Sequence, residues 1–120
     1  ARIKWLMADK SKDYDDIVAS RQRVYRQPGF VGAMRDIMAL QDPDIRQRNL
    51  LGPADYGAIS APTLVLWTSD DPTADVGEGR RIAQMIPGAR FEVMAGCGHW
   101  PQYEDPKTFN RLHIDFLLGR

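Results

Sequence analysis

Thr63-Leu64-Val65-Leu66-Trp67 is a continuous apolar run bounded by Pro62 and by polar residues. A strand with one wet face alternates apolar with polar residues. A run without alternation marks a parallel strand covered on both faces. Phe91-Glu92-Val93-Met94 reads as a second strand, and Val76 to Ile86 between them as a helix, with Ile82, Ala83 and Ile86 on one side. Pro87-Gly88 ends that helix. Strand, helix, strand implies a right-handed crossover and a parallel sheet, so the chain is α/β. Two parallel strands with helices do not make a stable sheet, and the apolar strand would expose an edge. The missing neighbours are expected to come from elsewhere, and these residues are expected not to fold well alone.

The rest of the chain divides into parts of different character. Residues 1 to 46 read as helical and highly charged. Asp15 to Arg26 carries Ile17, Val18 and Val24, and Pro28-Gly29 breaks the pattern. Phe30, Ala33, Met34, Ile37 and Met38 recur at the spacing of an amphipathic helix, which Asp42-Pro43 is expected to stop. Residues 46–59 look like a connecting segment with a short helix around Pro53 to Ala58. A final helix starts near Asp105-Pro106, with Phe109, Leu112, Phe116 and Leu117 on its apolar face.

Basic and acidic residues balance at 16 each in the 120 residues, so nothing draws the chain electrostatically to nucleic acid or an anionic membrane. Charged residues at 27% and hydrophobic ones at 43% suit a folded globular chain. No apolar stretch approaches the roughly 18–20 residues that span a bilayer. The single cysteine, Cys97, cannot form an internal disulfide, so a reducing cytoplasm is the default. The N-terminus has no signal-peptide layout and no initiator Met, which suggests a true start upstream.

Ligands of an open α/β sheet bind beyond the carboxyl ends of its strands. Asp71 lies a few residues past the first strand and His99 a few residues past the second, so both fall at one edge. An Asp that accepts a bond from imidazole Nδ1–H fixes the tautomer and stabilises the imidazolium that forms. Gly96 and Gly98 would permit the backbone that turns the His inward. Asp70 and Asp75 compete for the acid role. Asp70 could cap a turn and Asp75 the helix at Val76, and spacing favours Asp71. His113 reads as a partly exposed helix residue and Cys97 as a small packed one. No metal-ligand pattern or cofactor motif stands out.

These residues carry a resemblance. Ala61 to Trp67, Asp71-Pro72-Thr73, Ile86-Pro87-Gly88-Ala89, Gly96-Cys97-Gly98-His99-Trp100-Pro101-Gln102-Tyr103-Glu104 and Phe109-Asn110-Arg111-Leu112 to Phe116-Leu117 resemble the C-terminal part of the α/β-hydrolase superfamily. Within it, Cys-Gly-His-Trp followed by Gln-x-Glu and Phe-Asn-Arg resembles the meta-cleavage product hydrolases, carbon–carbon bond hydrolases of bacterial aromatic degradation. The resemblance implies a partial helical lid over residues 1–46. Residues 47–120 would then be the last parallel strands and helices of the core. It also implies Asp71 and His99 as acid and base of a Ser-His-Asp triad. Arg21 would hold the carboxylate and enol end of the substrate, with Arg23 and Arg26 as rivals, and Trp100 would line the pocket.

The departure from that family is the nucleophile. Its Gly-x-Ser-x-Gly elbow is absent, and Ser11, Ser20, Ser60 and Ser69 have no such context. The expected partners are therefore a small-molecule substrate and the N-terminal half of the same hydrolase, as a separate chain or a missing segment. The whole enzyme could be a homo-oligomer. The expected activity is hydrolysis of a vinylogous 1,5-diketone, a ring-opened catechol product. Ester hydrolysis on the same triad and a non-catalytic ligand-binding role are the alternatives.

Overall fold

The computed structural model describes residues 2–120. They divide into two compact units. The first joins the residues up to Lys12 to Pro53–Arg120, and the second is Asp13–Gly52.

The first unit holds α1 (Arg2–Leu6), α5 (Pro53–Gly57), β1 (Leu64–Thr68), α6 (Val76–Met85), β2 (Arg90–Met94), α7 (Pro101–Glu104) and α8 (Pro106–Leu117). The strands run parallel in the register Leu64↔Arg90 to Thr68↔Met94, with α6 as the crossover. Two side-chain caps fix where the long helices begin. Asp75 accepts from the Glu78 amide at 3.0 Å, and Asp105 from the Thr108 amide at 3.1 Å. Met94, Cys97 and Leu112 form the core cluster, with Leu66 and Phe109 packed against it. That cluster joins α8 to the middle of β1 through Leu66 and to the end of β2 through Met94, and so anchors the loop that carries Cys97.

Burial of β1 falls short of the expected double coverage. Leu64 to Trp67 are half-buried and only Thr68 is fully buried. The reason is its single strand neighbour: among the described residues β1 pairs with β2 and with no other strand.

The second unit holds α2 (Asp15–Tyr25), α3 (Phe30–Met38), a 3₁₀ turn at Ala39–Gln41 and α4 (Pro43–Arg48). Asp42-Pro43 was expected to stop the amphipathic helix that begins at Phe30. It does stop α3 from extending, but Asp42 then caps a further helix, accepting from the amides of Asp44 at 2.9 Å and Ile45 at 3.1 Å. Proline at the first helical position suits that geometry.

The contacts do not divide at residue 46. α4 continues past it, and the break falls after Gly52. The first residues also group with the strands rather than with the helices that follow. His99 donates its backbone amide to the Leu6 carbonyl at 2.7 Å, and Ala8 donates its amide to Glu104 at 2.7 Å. Neither bond could be read from sequence, because the partners lie more than ninety positions apart.

Candidate active site

The loops after β1 and β2 are laced together at the carboxyl edge of the sheet. The Ser69 amide donates to the Met94 carbonyl at 3.1 Å, and the Asp70 amide to the Cys97 carbonyl at 3.0 Å. The Ser69 hydroxyl accepts from the Gly96 amide at 2.8 Å and donates to Asp70 Oδ2 at 2.6 Å. Ser69 is thus a loop fastener, and Asp70 is spent on it. Asp75 caps α6. Asp71 is the carboxylate left to face the His loop.

Asp71 Oδ2 lies 2.9 Å from His99 Nδ1. Asp71 Oδ1 accepts from both the Thr73 hydroxyl at 2.7 Å and the Thr73 amide at 2.8 Å. Burial pushes the Asp71 carboxyl up, but the Thr73 hydroxyl, the Thr73 amide and His99 together outweigh it and leave it below its usual value. An ionised carboxylate only accepts. The proton in the 2.9 Å contact therefore belongs to Nδ1, which donates to Asp71 and also points at the Thr73 hydroxyl oxygen at 3.3 Å. That tautomer leaves Nε2 as the basic nitrogen. The Asp71 side chain is 14% exposed and that of His99 40%. The acid is shielded and the imidazole reachable, as a proton shuttle requires.

Two glycines shape the His loop for different reasons. Gly96 has φ +68°, the left-handed region a side chain disfavours. Gly98 has no such angle. It is needed for space, since a Cβ there would sit 2.7 Å from the Ala8 amide nitrogen. Sequence reasoning singled out both glycines for backbone freedom; for Gly98 the cause is instead a close approach of the residue 6–8 backbone.

Asp71 and His99 line an open depression of about 440 Å³ with Leu64, Leu66, Thr68 and Phe109. His113 borders it too, but its Nδ1–H donates to the Phe109 carbonyl at 2.7 Å and its ring lies against Phe109 at 4.0 Å. It serves its own helix. Cys97 is buried in the core cluster, and burial pushes its thiol up, so it is no nucleophile. Trp100 follows His99 directly and is half-buried at the start of α7. Arg21 lies in the second unit on α2, where its guanidinium donates to the Tyr25 hydroxyl at 3.1 Å. A larger depression in that unit is bordered by Gln22, Arg23 and Arg26 and contains no acid, imidazole or nucleophile. Among the described residues no group of three or more His, Cys, Asp or Glu could hold a metal ion. No helix among them is long and apolar enough to cross a membrane.

Thr73 and Glu104 were missed by sequence reasoning as parts of the site. Thr73 had a legible signal, because a hydroxyl two residues after an Asp commonly closes a local side-chain turn. Glu104 stood in the motif, yet its bonds to the Gly98 and Ala8 amides have no local signature.

Comparison with known proteins points to one family. A family model described as the alpha/beta hydrolase family matches residues 2–112. The chain is 45% identical to a 2-hydroxy-6-oxononadienedioate/2-hydroxy-6-oxononatrienedioate hydrolase of Cupriavidus pinatubonensis, over 52% of this chain and 23% of that protein. It is 45% identical to a 2-hydroxy-6-oxo-6-phenylhexa-2,4-dienoate hydrolase of Comamonas testosteroni, over 53% of this chain and 22% of that one. The matched stretch thus spans less than a quarter of either relative's length. Among solved structures, a meta-cleavage product hydrolase from Pseudomonas fluorescens IP01 superposes with a TM-score of 0.80 at 24% identity. It covers 98% of this chain and 43% of its own, and at that identity it speaks for the fold alone.

Proposed function

Since the chain belongs to the alpha/beta hydrolase family, we propose that it supplies the acid and base of a Ser-His-Asp triad that hydrolyses a carbon–carbon bond in a ring-opened aromatic product. The observation that carries this reading is the 2.9 Å contact between Asp71 Oδ2 and His99 Nδ1 in an open depression at the sheet edge. The names of the relatives support the substrate class, a 2-hydroxy-6-oxo dienoate. Gly-x-Ser-x-Gly is absent from these 120 residues. On this reading the serine and its oxyanion donors come from a segment or polypeptide outside them.

Ketonisation of the dienol creates an electron sink beside the scissile bond. His99 Nε2 takes the proton of the attacking serine hydroxyl as oxygen bonds to the ketone carbon. Collapse breaks the carbon–carbon bond, its electron pair passes into the dienol fragment, and His99 returns the proton there. Water then hydrolyses the acyl-serine with His99 again as base. Asp71 keeps the Nδ1–H tautomer throughout and stabilises the imidazolium. Arg21 would bind the anionic enol-carboxylate end, and Trp100 an apolar end. Asp13–Gly52 would serve as part of a lid, with Met34 adapting to a bulky group. Unpaired Cys97 suits a reducing compartment, and we place the enzyme in the cytoplasm.

The test is turnover of a coloured 2-hydroxy-6-oxo dienoate by the hydrolase assembled with its nucleophile. H99A should lower kcat by about 10⁴–10⁶, the scale of losing a triad member. Near-parental turnover by H99A would sink the assignment. R21Q should slow every substrate bearing the enol-carboxylate head. If it does not, or if a simple aryl ester is the better substrate, ester hydrolysis replaces carbon–carbon cleavage.

A further inference from the structure

The loop that carries His99 is held from behind by a segment far away in sequence. Glu104 Oε1 accepts the Gly98 amide at 2.8 Å, and Glu104 Oε2 accepts the Ala8 amide at 2.7 Å. The His99 amide in turn donates to the Leu6 carbonyl at 2.7 Å. Leu6 and Met7 are both buried, Met7 completely. Lys10 adds a further tie, donating its ammonium to the carbonyls of Trp5 and Met7. One carboxylate thus bridges two strips of backbone, the strap at Leu6–Ala8 and the loop at Gly98–His99. Gly98 lets them meet, since any Cβ would collide with the strap.

We propose that Glu104 is a positioning residue: its bridge locks the strap onto the His99 loop and thereby keeps the imidazole Nδ1 on Asp71. The inference rests on the proposed role of His99. A carboxylate suits the task because both of its oxygens only accept, and bonds that backbone amides donate to a charged acceptor are stronger than neutral ones. Glutamine has the same shape but one acceptor, so its NH₂ would face one of the two amides. That amide would lose its partner and the bridge would open on one side. The strap runs on in sequence into Asp13–Gly52.

The experiment is proton NMR on the assembled hydrolase with ¹⁵N-labelled histidine rings, comparing parent with E104Q. The parent should show a His99 Nδ1–H resonance protected from exchange. In E104Q that proton should exchange at least about tenfold faster, together with the Gly98 and Ala8 amides, while the Met94 and Leu112 methyl signals stay in place. An unchanged Nδ1–H signal in a folded E104Q overturns the proposal. Should E104Q fail to fold, native-state exchange of the parent decides. The Ala8, Gly98 and His99 amides and the Nδ1–H proton must open in one local event below the opening of the β1–β2 ladder. Opening of Nδ1–H by itself, or only with the ladder, refutes it. In the active hydrolase, E104Q should lower kcat by about 100-fold, the cost of a small misplacement, with KM changed less than about twofold. The spectra involve no substrate, so their failure removes the latch and leaves the hydrolytic reading standing. A parent without turnover removes that reading and leaves the spectra interpretable.

Discussion

The two units are built on opposite principles. In the unit that contains the strands, Leu6, Met7, Ala83, Ile86, Met94, Cys97 and Leu112 are buried, and partners far apart in sequence hold the loops. In Asp13–Gly52, Tyr14 alone among the buried hydrophobics is present, and none of its helices contains a buried residue. Val31, Ile37, Met38 and Leu40 remain exposed there. Its helices are set by local signals: the Asp42 cap, Pro43 at a first turn, and Gly29 before α3. The contrast teaches that a strong amphipathic pattern can specify a helix without specifying a core, whereas the dyad needs a core to hold two loops in register.

The largest effect expected from this contrast is chemical. Asp71→Asn should cut kcat by about 10⁴, because an amide no longer enforces the Nδ1–H tautomer. No substitution of an exposed residue on α3 should approach that loss, and steady-state kinetics on both sets would show it.

Next come effects on stability. Leu112→Ala should destabilise by about 2–4 kcal/mol, by lost transfer energy and the cavity left beside Met94 and Cys97. Ile37→Ala on α3, where Ile37 is 59% exposed, should cost under about 0.5 kcal/mol. Denaturant unfolding of the two variants in the assembled hydrolase measures both, and equal costs would erase the distinction between the units.

Glycine substitutions should differ even in sign. Gly98→Ala forces the strap and the His loop apart and should cost about 1–3 kcal/mol. Gly32→Ala in α3 meets nothing within 4 Å and should stabilise by about 0.5–1 kcal/mol through helix propensity. Thermal melts of the pair would settle it, and a destabilised Gly32→Ala would mean that α3 is more tightly packed than its exposure says.

The smallest effect is on acid tolerance. Asp71 is lowered from its ordinary value, so its ionised form is favoured in the folded state. That stabilisation is fully present above the unfolded carboxylate value of about 3.9 and is lost as pH falls through the lower folded value. Below about pH 4 the parent should therefore lose stability more steeply than Asp71→Asn. Parallel acid titrations would betray a wrong sign if the two profiles ran together.

Much of the architecture was legible because its signals are local. Apolar residues without alternation marked β1, Pro and Gly punctuated α6 and β2, and Asp before Pro announced α8. Spacing from the strand ends singled out Asp71 and His99, since parallel strands deliver their following loops to one edge. The grouping of residues 1–12 with the strands was not legible, because their helical, charged character resembles the stretch that follows, while their placement depends on Leu6 and Ala8 meeting residues beyond 90.

By itself, then, the sequence determined the order of elements, the caps that start them and the two side chains that could meet at the sheet edge. These follow from periodicity and turn chemistry within a few residues. Only the tertiary structure decided that Gly98 is a matter of space and that Glu104 ties the first residues of the chain to the His loop. Each of those is a contact between backbones or side chains brought together by packing, and no local pattern encodes which amide a carboxylate will meet once the loops have closed.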